Sequence, residues 1–295
     1  MPSYDFVTLD VFTGRRFGGN PLAVFPDARG LSEGEMQALA AEFNYSETTF
    51  VLPPRDQANT ARVRIFTPRA ELPFAGHPNI GTAQVLAERG RDRDGLMVFE
   101  EIAGLVAVRV TREAGGGMLV SIDAPQSFTR GATLSAQDVA ACAGLSAAEI
   151  RTAAHPPVVA SVGTPFVIAE VTGAALTRAA PDPAAFQAML ARAPALRDQV
   201  GLHLYAREGA GLRARMFAPL AGVPEDPATG SANLALAALL LSLGEAAEMR
   251  ADVVQGVEMG RPSLLHVAAR RAADGAIRAR VAGRCVPVLH GQATL

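Results

Sequence analysis

Arg62-Val-Arg-Ile-Phe-Thr-Pro-Arg-Ala-Glu-Leu-Pro-Phe-Ala-Gly-His-Pro-Asn-Ile-Gly-Thr82 reads as a strand, a polar turn and a helix start, and it occurs twice. Moved along by 151 positions it falls on Arg213-Ala-Arg-Met-Phe-Ala-Pro-Leu-Ala-Gly-Val-Pro-Glu-Asp-Pro-Ala-Thr-Gly-Ser231. Arg62, Arg64, Phe66, Pro68, Ala70 and Pro73 recur as Arg213, Arg215, Phe217, Pro219, Ala221 and Pro224. A single repeat at about half the chain length implies two similar domains made by duplication, not a stacked solenoid. The division is expected at 1–124 and 125–283, with a last strand over 284–295 able to return to the first domain. After the shared segment the copies differ. The first continues Gly76-His77-Pro78-Asn79, the second Glu225-Asp226-Pro227-Ala228-Thr229-Gly230-Ser231.

Composition supports two packed domains. The chain has 295 residues, 49% apolar and 19% charged, enough for a large core and poor for disorder. A net charge of −2 without a basic cluster speaks against nucleic acid and anionic membranes as partners. The absence of Trp weakens any base-stacking role further. The start, Met-Pro-Ser-Tyr-Asp, lacks a signal-peptide pattern, and the longest apolar run, 234–241, is too short to span a bilayer. Cys142 and Cys285 have no motif spacing, so a reduced, cytoplasmic setting is expected.

Outward from the repeat, the first domain begins with a strand over 6–12, a glycine-rich loop and a short strand over 22–25. Ser32-Glu-Gly-Glu35 is a capping box, with Leu31 and Met36 spaced as its hydrophobic staple. That helix stops near Asn44, and a strand resumes over 48–52, which leaves Glu47 at a junction outside the repeat. A helix is expected from about Pro78 to Glu88, then strands over 96–99, 105–110 and 118–122, the last two joined by Gly115-Gly-Gly117. The second half offers capping signals at Ser135 and Ser146, strands over 158–162, 166–171, 201–205 and 212–217, and a helix over 183–191. The helix over 232–241 is apolar nearly all round and should be buried on every side, as in a sheet wrapped around a helix. No strand is assigned between Gly244 and Cys285.

Gly76 and Gly230-Ser231 sit at two helix starts, where free N–H groups and the positive helix end attract a carboxylate. Brought together by the duplication, they would clamp a small anion; taken singly, Gly, Ser and Pro simply begin helices. His77 can bind substrate or carry a proton, or be a structural histidine. Asp226 can accept from a substrate amine or from His77, or merely shape a turn. Glu47, with no basic neighbour in sequence, is the best carboxylate for general acid/base work if it is partly buried. The five histidines and two cysteines show no metal-ligand spacing, and no P-loop, dinucleotide fingerprint or nucleophile elbow is present.

Five segments in order then resemble one family. They are Phe17-Gly-Gly-Asn-Pro21, Asn44-Tyr-Ser-Glu-Thr-Thr-Phe50, Phe66-Thr-Pro68 with Leu72-Pro-Phe-Ala-Gly-His-Pro78, Glu225-Asp-Pro-Ala-Thr-Gly-Ser-Ala232, and Gln255-Gly-Val-Glu-Met-Gly-Arg-Pro-Ser263. Together they resemble the PhzF family of phenazine-biosynthesis isomerases, within the diaminopimelate-epimerase-like superfamily. The resemblance implies an α+β fold of two pseudo-symmetric domains, each a curled, barrel-like mixed sheet around a central helix, with the site in the cleft and a homodimer. It implies cofactor-free proton transfer on a small cyclic amino-carboxylate such as trans-2,3-dihydro-3-hydroxyanthranilate. Glu47 matches the family's acid/base and His77 and Asp226 its polar partners, while Gly76, Gly230, Ser231 and Asn20 match the substrate-binding set. The racemase and epimerase cousins use two opposed cysteines; the matching places here are about Ala75 and Asp226, which disfavours two-thiol chemistry. Asn233 stands where several relatives have His, which bears on selectivity. A racemase or epimerase, and a non-catalytic small-carboxylate binder, are the competing readings.

Overall fold

The computed structural model describes residues 2–193, 196 and 201–295. The chain divides into two compact units, Met1–Asp123 with Ala282–Leu295, and Ala124–Val281.

The first unit runs β1 (Ser3–Val11), β2 (Asn20–Phe25), α1 (Glu33–Phe43), β3 (Glu47–Leu52), β4 (Ala61–Phe66), β5 (Glu71–Leu72), α2 (Gly76–Glu88), β6 (Leu96–Glu101), β7 (Gly104–Arg112) and β8 (Met118–Asp123). The second runs β9 (Thr129–Thr133), α3 (Ala136–Cys142), β10 (Ile150–Arg151), β11 (Val158–Ser161), β12 (Pro165–Val171), α4 (Gly173–Arg178), α5 (Pro183–Arg192), β13 (Gly201–Glu208), β14 (Gly211–Ala218), β15 (Val223–Asp226), α6 (Gly230–Ser242), β16 (Glu248–Gln255), β17 (Ser263–Arg271) and β18 (Ile277–Gly283). The last strand, β19 (Cys285–Thr294), pairs antiparallel with β1 in the first unit.

Each unit is a curled mixed sheet around one helix. Strands β1, β2, β3, β7, β8 and β19 all pack on α2, and β11, β12, β16 and β17 on α6. The apolar α6 is buried over nearly all its length, as its composition requires. Helix α2 is equally buried from Gly76 to Ala87 although it carries His77, Asn79, Thr82 and Gln84. Several of its polar groups are answered internally: Asn79 Nδ2 donates to the Ala75 carbonyl at 3.0 Å, and Thr82 Oγ1 meets Thr49 Oγ1 at 2.8 Å. Gly81 lets the helix approach closely, because a Cβ there would lie 2.5 Å from Leu22 Cδ2. The helix begins at Gly76, two residues before the expected start, which puts His77 inside its first turn.

Helix α1 has its capping box. Ser32 Oγ accepts the Glu35 N–H at 3.3 Å, and Glu35 Oε2 accepts the Ser32 N–H at 2.7 Å. The staple residues Leu31 and Met36 join Phe25, Phe50 and Phe66 in one buried cluster. There Phe25 stacks on Phe50 at 4.9 Å, and Phe50 meets Phe66 edge-on at 5.5 Å. This cluster fixes β3, and with it Glu47, against α1. Ser32→Ala should cost about 1 kcal/mol through loss of the cap, measurable by urea denaturation; an unchanged midpoint would contradict it. Ser146, by contrast, opens only a short 3-10 turn, Ala147–Glu149, although its box is formed.

The recurring arginines have a shared task. Arg64 binds Glu71 with both Nε and Nη2, at 2.6 and 2.5 Å, and lies 5.0 Å over the Phe66 ring. Arg215 binds Glu225 likewise, 2.8 Å for each bond, 4.9 Å over Phe217. Each forked pair ties the central strand to the stub that leads into the buried helix.

Ladder registers align the two units in detail. Thr49 faces Ile65 as His203 faces Met216, so β3 corresponds to β13 and Glu47 to Gly201. Glu47 is therefore inside the duplication, contrary to the sequence reading; Glu-Thr-Thr and Gly-Leu-His share too little to align without the ladders. Leu72 faces Ile65 as Asp226 faces Met216, so Leu72 holds the place of Asp226. Arg62 pairs with Glu100 as Arg213 pairs with Val254, so Glu101 holds the place of Gln255. The helix starts give Ala75 for Thr229, Gly76 for Gly230, His77 for Ser231 and Asn79 for Asn233. The sequence carries only a weak signal for strands β16 to β18, an alternation in which Leu265, Val267, Ala269 and Ala279 face inward between exposed or half-buried neighbours.

Candidate active site

In the first unit three element starts converge. Asn20 opens β2, Glu47 opens β3, and Gly76 and His77 open α2. Parallel pairing sets Leu22 beside Glu47, so the two strand starts lie at the same end of the sheet. The loop delivering Asn20 is tight: Gly19 has φ +63°, and a Cβ there would sit 2.3 Å from the Val11 carbonyl oxygen. This accounts for the glycine in the Phe17-to-Pro21 motif.

His77 Nε2 lies 3.4 Å from Glu47 Oε2, with side-chain exposures of only 6% and 16%. On its other side, His77 Nδ1 lies 3.4 Å from Asn20 Nδ2, and Ser46 Oγ donates to Asn20 Oδ1 at 2.9 Å. Burial pushes the imidazole down to about 3, only partly opposed by a hydrogen bond with the backbone of Pro21. Near neutral pH His77 is therefore an uncharged ring beside a carboxyl group, and at 3.4 Å the contact is neither an ion pair nor a formed hydrogen bond. A pH–rate profile should accordingly show no limb near the ordinary imidazole value of 6.5 that His77→Asn removes; such a limb would overturn the neutral assignment.

The second unit holds the other expected residues. Asp226 ends β15 and is buried, Gly230 and Ser231 open α6, and Thr229 Oγ1 donates to Asp226 Oδ2 at 2.5 Å. Neither Ala75 nor Thr229 caps its helix through a side chain, so no side chain covers the first-turn N–H groups from the cap position. Asn233 is fully buried and spends its hydrogen bonds on Gln255, Thr229 and His203, so it acts on the site indirectly. By sequence alone Gln255 has no role within its motif and Glu101 carries no signal; both lie behind the helix starts.

Both thiols are buried, and burial raises them, Cys142 to about 12 and Cys285 further still, so neither is suited to serve as a thiolate base. Among the described residues no group of three or more His, Cys, Asp or Glu is arranged to hold a metal ion, and no helix is long and apolar enough to cross a membrane.

The sequence model of the phenazine biosynthesis-like protein family (PhzC-PhzF) matches residues 9–291. The trans-2,3-dihydro-3-hydroxyanthranilate isomerase of Pseudomonas chlororaphis is 36% identical over 298 residues, covering 99% of this chain and 100% of that one. A protein of Mesorhizobium japonicum described as an uncharacterized isomerase is also 36% identical, covering 99% of both chains. Among solved structures, a PhzF-family phenazine biosynthesis protein of Bacillus anthracis superposes with a TM-score of 0.90 at 26% identity over 100% of both chains. The chain belongs to the phenazine biosynthesis-like (PhzC-PhzF) family and is an isomerase.

Proposed function

We propose that the chain moves a proton between carbons of a small cyclic amino-carboxylate, without a cofactor, with Glu47 as the general acid/base. The observation that carries this is the buried Glu47–His77 pair, 3.4 Å apart, whose counterparts in the other unit are Gly201 and Ser231. A symmetric racemase needs two matched bases; the duplication here places a carboxyl group at Glu47 and a glycine, Gly201, at the equivalent position. His77 flanks Glu47 as a neutral ring, while Asn20 holds the ring and Glu47 itself takes the proton from one carbon and returns it to another. Asp226 accepts from a donor group of the substrate. Gly76, Gly230 and Ser231 offer helix-start N–H groups to its carboxylate. The relative from Pseudomonas chlororaphis is named for trans-2,3-dihydro-3-hydroxyanthranilate, which is the first substrate to try.

The test incubates the chain with that compound and follows conversion to an isomer of equal mass by proton NMR, in water and in deuterated water. Absence both of conversion and of exchange at carbon would sink the proposal for this substrate. Inversion at an α-carbon would instead select the racemase. The homodimer and cytoplasmic setting belong to the same proposal, and sedimentation at micromolar concentration tests the dimer.

A further inference from the structure

Behind Asp226 lies a run of buried polar side chains in which every donor and acceptor role is forced. Gln255 Nε2 faces the Asp226 carbonyl at 2.8 Å, and a carbonyl only accepts, so the amide orientation is fixed. Its Oε1 accordingly accepts the Thr229 N–H at 3.2 Å and Asn233 Nδ2 at 2.7 Å. Asn233 Nδ2 also donates to the Thr229 carbonyl at 2.9 Å, which fixes that amide too. Asn233 Oδ1 can then only accept, so His203 bears its proton on Nε2, 3.1 Å away. At the other end, Gln255 Nε2 donates to Thr229 Oγ1 at 3.1 Å. That hydroxyl has one proton, and it goes to Asp226 Oδ2 at 2.5 Å. His203, Asn233 and Gln255 are completely buried, and Thr229 and Asp226 nearly so. The chain thus runs one way, from His203 to Asp226.

The first unit shows what this seat looks like when no aspartate stands at its end. Asn79 repeats the Asn233 bond to the carbonyl four residues back, 3.0 Å against 2.9 Å. Every other member differs: Thr49 for His203, Glu101 for Gln255, Ala75 for Thr229, and Leu72 for Asp226. There Asn79 Oδ1 and both Glu101 carboxyl oxygens are buried without a hydrogen-bond partner. If the chain served only to hold a helix start, the first unit would need it as much. Its Asn–Gln–Thr part is complete only where an aspartate ends it, although His203 Nδ1 at its start is also buried without a hydrogen-bond partner.

We propose that Gln255 is a positioning residue for Asp226: through Thr229, and backed by Asn233 and His203, it makes Asp226 Oδ2 an acceptor at the end of a one-way hydrogen-bond chain, which orients the carboxyl group to receive an N–H or O–H of the substrate. This rests on the reading that Asp226 belongs to the site. The chemical class it selects is an amino- or hydroxy-substituted carboxylate over a plain one.

Three substitutions test it. Thr229→Val keeps shape and removes the hydroxyl. Gln255→Glu, assayed at pH 9 so that a carboxyl held up as far as Glu101 is still ionised, replaces the donating amide by a carboxylate, so that the Thr229 proton turns from Asp226 to residue 255. Thr229→Ser restores the hydroxyl. Both Thr229→Val and Gln255→Glu should lower kcat/KM for trans-2,3-dihydro-3-hydroxyanthranilate by about 10–100-fold, the worth of one hydrogen bond to a charged group. Thr229→Ser should stay within about threefold of the parent, and the double variant should be no worse than the worse single one, since both break the same bond. Parental kcat/KM in folded Thr229→Val and Gln255→Glu, or strictly multiplicative losses, would overturn the proposal. A second readout does not need turnover: the Gln255 side-chain amide protons, followed by nitrogen-15 NMR in the parent chain, should exchange with solvent far more slowly than those of exposed glutamines. Fast exchange overturns the chain whatever the substrate proves to be. Slow exchange together with an inactive parent supports the chain and counts against the proposed substrate alone.

Discussion

Glu47→Gln should lower kcat on the proposed substrate by roughly 10²–10⁴-fold, the range that general acid/base catalysis supplies. Binding of a non-reacting analogue, 3-hydroxyanthranilate, should change by less than about threefold, because an interaction used only in the transition state leaves ground-state affinity alone. The substitution is isosteric, and the backbone of residue 47 keeps its place beside Leu22 in the β2–β3 ladder, so a folding defect is not expected. Steady-state kinetics and calorimetry on the same preparation check both halves. A fully active variant would remove Glu47 from the mechanism. Equal losses in kcat and affinity would assign it to substrate binding. The partner matters to this argument. Burial holds His77 at about 3, so the ring is not a standing cation that could replace the lost carboxyl group.

Local signals carried much of the fold into the sequence. The capping box at Ser32 acts within a few residues and forms as its pattern implies, and the recurrence of Arg64 and Arg215 is visible in the sequence although their glutamate partners are not. The apolar α6 declared its burial by composition alone. Helix α2 did not, because its polar residues become legible only once Thr49 and the first-turn carbonyls are in place. The link between Glu47 and Gly201 was hidden for a different reason: strand registers preserve position while side chains diverge, and no residue type survived at that spot. Gln255 was overlooked because its partners Asn233, Thr229 and the backbone of Asp226 are 22, 26 and 29 positions away. A glutamine has no pattern of its own; its role is defined by what encloses it. The same holds for Glu101, whose counterpart is that glutamine.

Glu101→Gln should stabilise the chain at neutral and alkaline pH. Burial pushes the Glu101 carboxyl from 4.5 up to about 8, against a weaker pull from the nearby Asn79 amide, which forms no well-shaped hydrogen bond with it. Its place at the end of β6 adjoins the approach to α2, where the Ala103 N–H donates to the Pro73 carbonyl at 3.0 Å. Between these two values the native chain keeps a proton that the unfolded chain gives up. Stability is then highest below 4.5 and falls as pH rises toward 8. At pH 7 the accumulated cost is about 3 kcal/mol, at roughly 1.4 kcal/mol per pKa unit. Glutamine, which fills the equivalent seat as Gln255, has nothing to ionise. The variant should gain about 5–10 °C in Tm at pH 7–8 and almost nothing at pH 4. His77 and His203, held down to about 3 and about 4 by burial, act in the opposite sense, costing stability as pH falls below 6.5. Both are present in parent and variant, so they cancel in the difference and leave the Glu101 slope visible. Calorimetric scans of the two proteins from pH 4 to 9 decide the matter. Melting curves separated by the same amount at every pH would show that Glu101 does not titrate within the fold. A variant less stable than the parent at pH 8 would show that the carboxylate is bound there by groups stronger than the amide of Asn79.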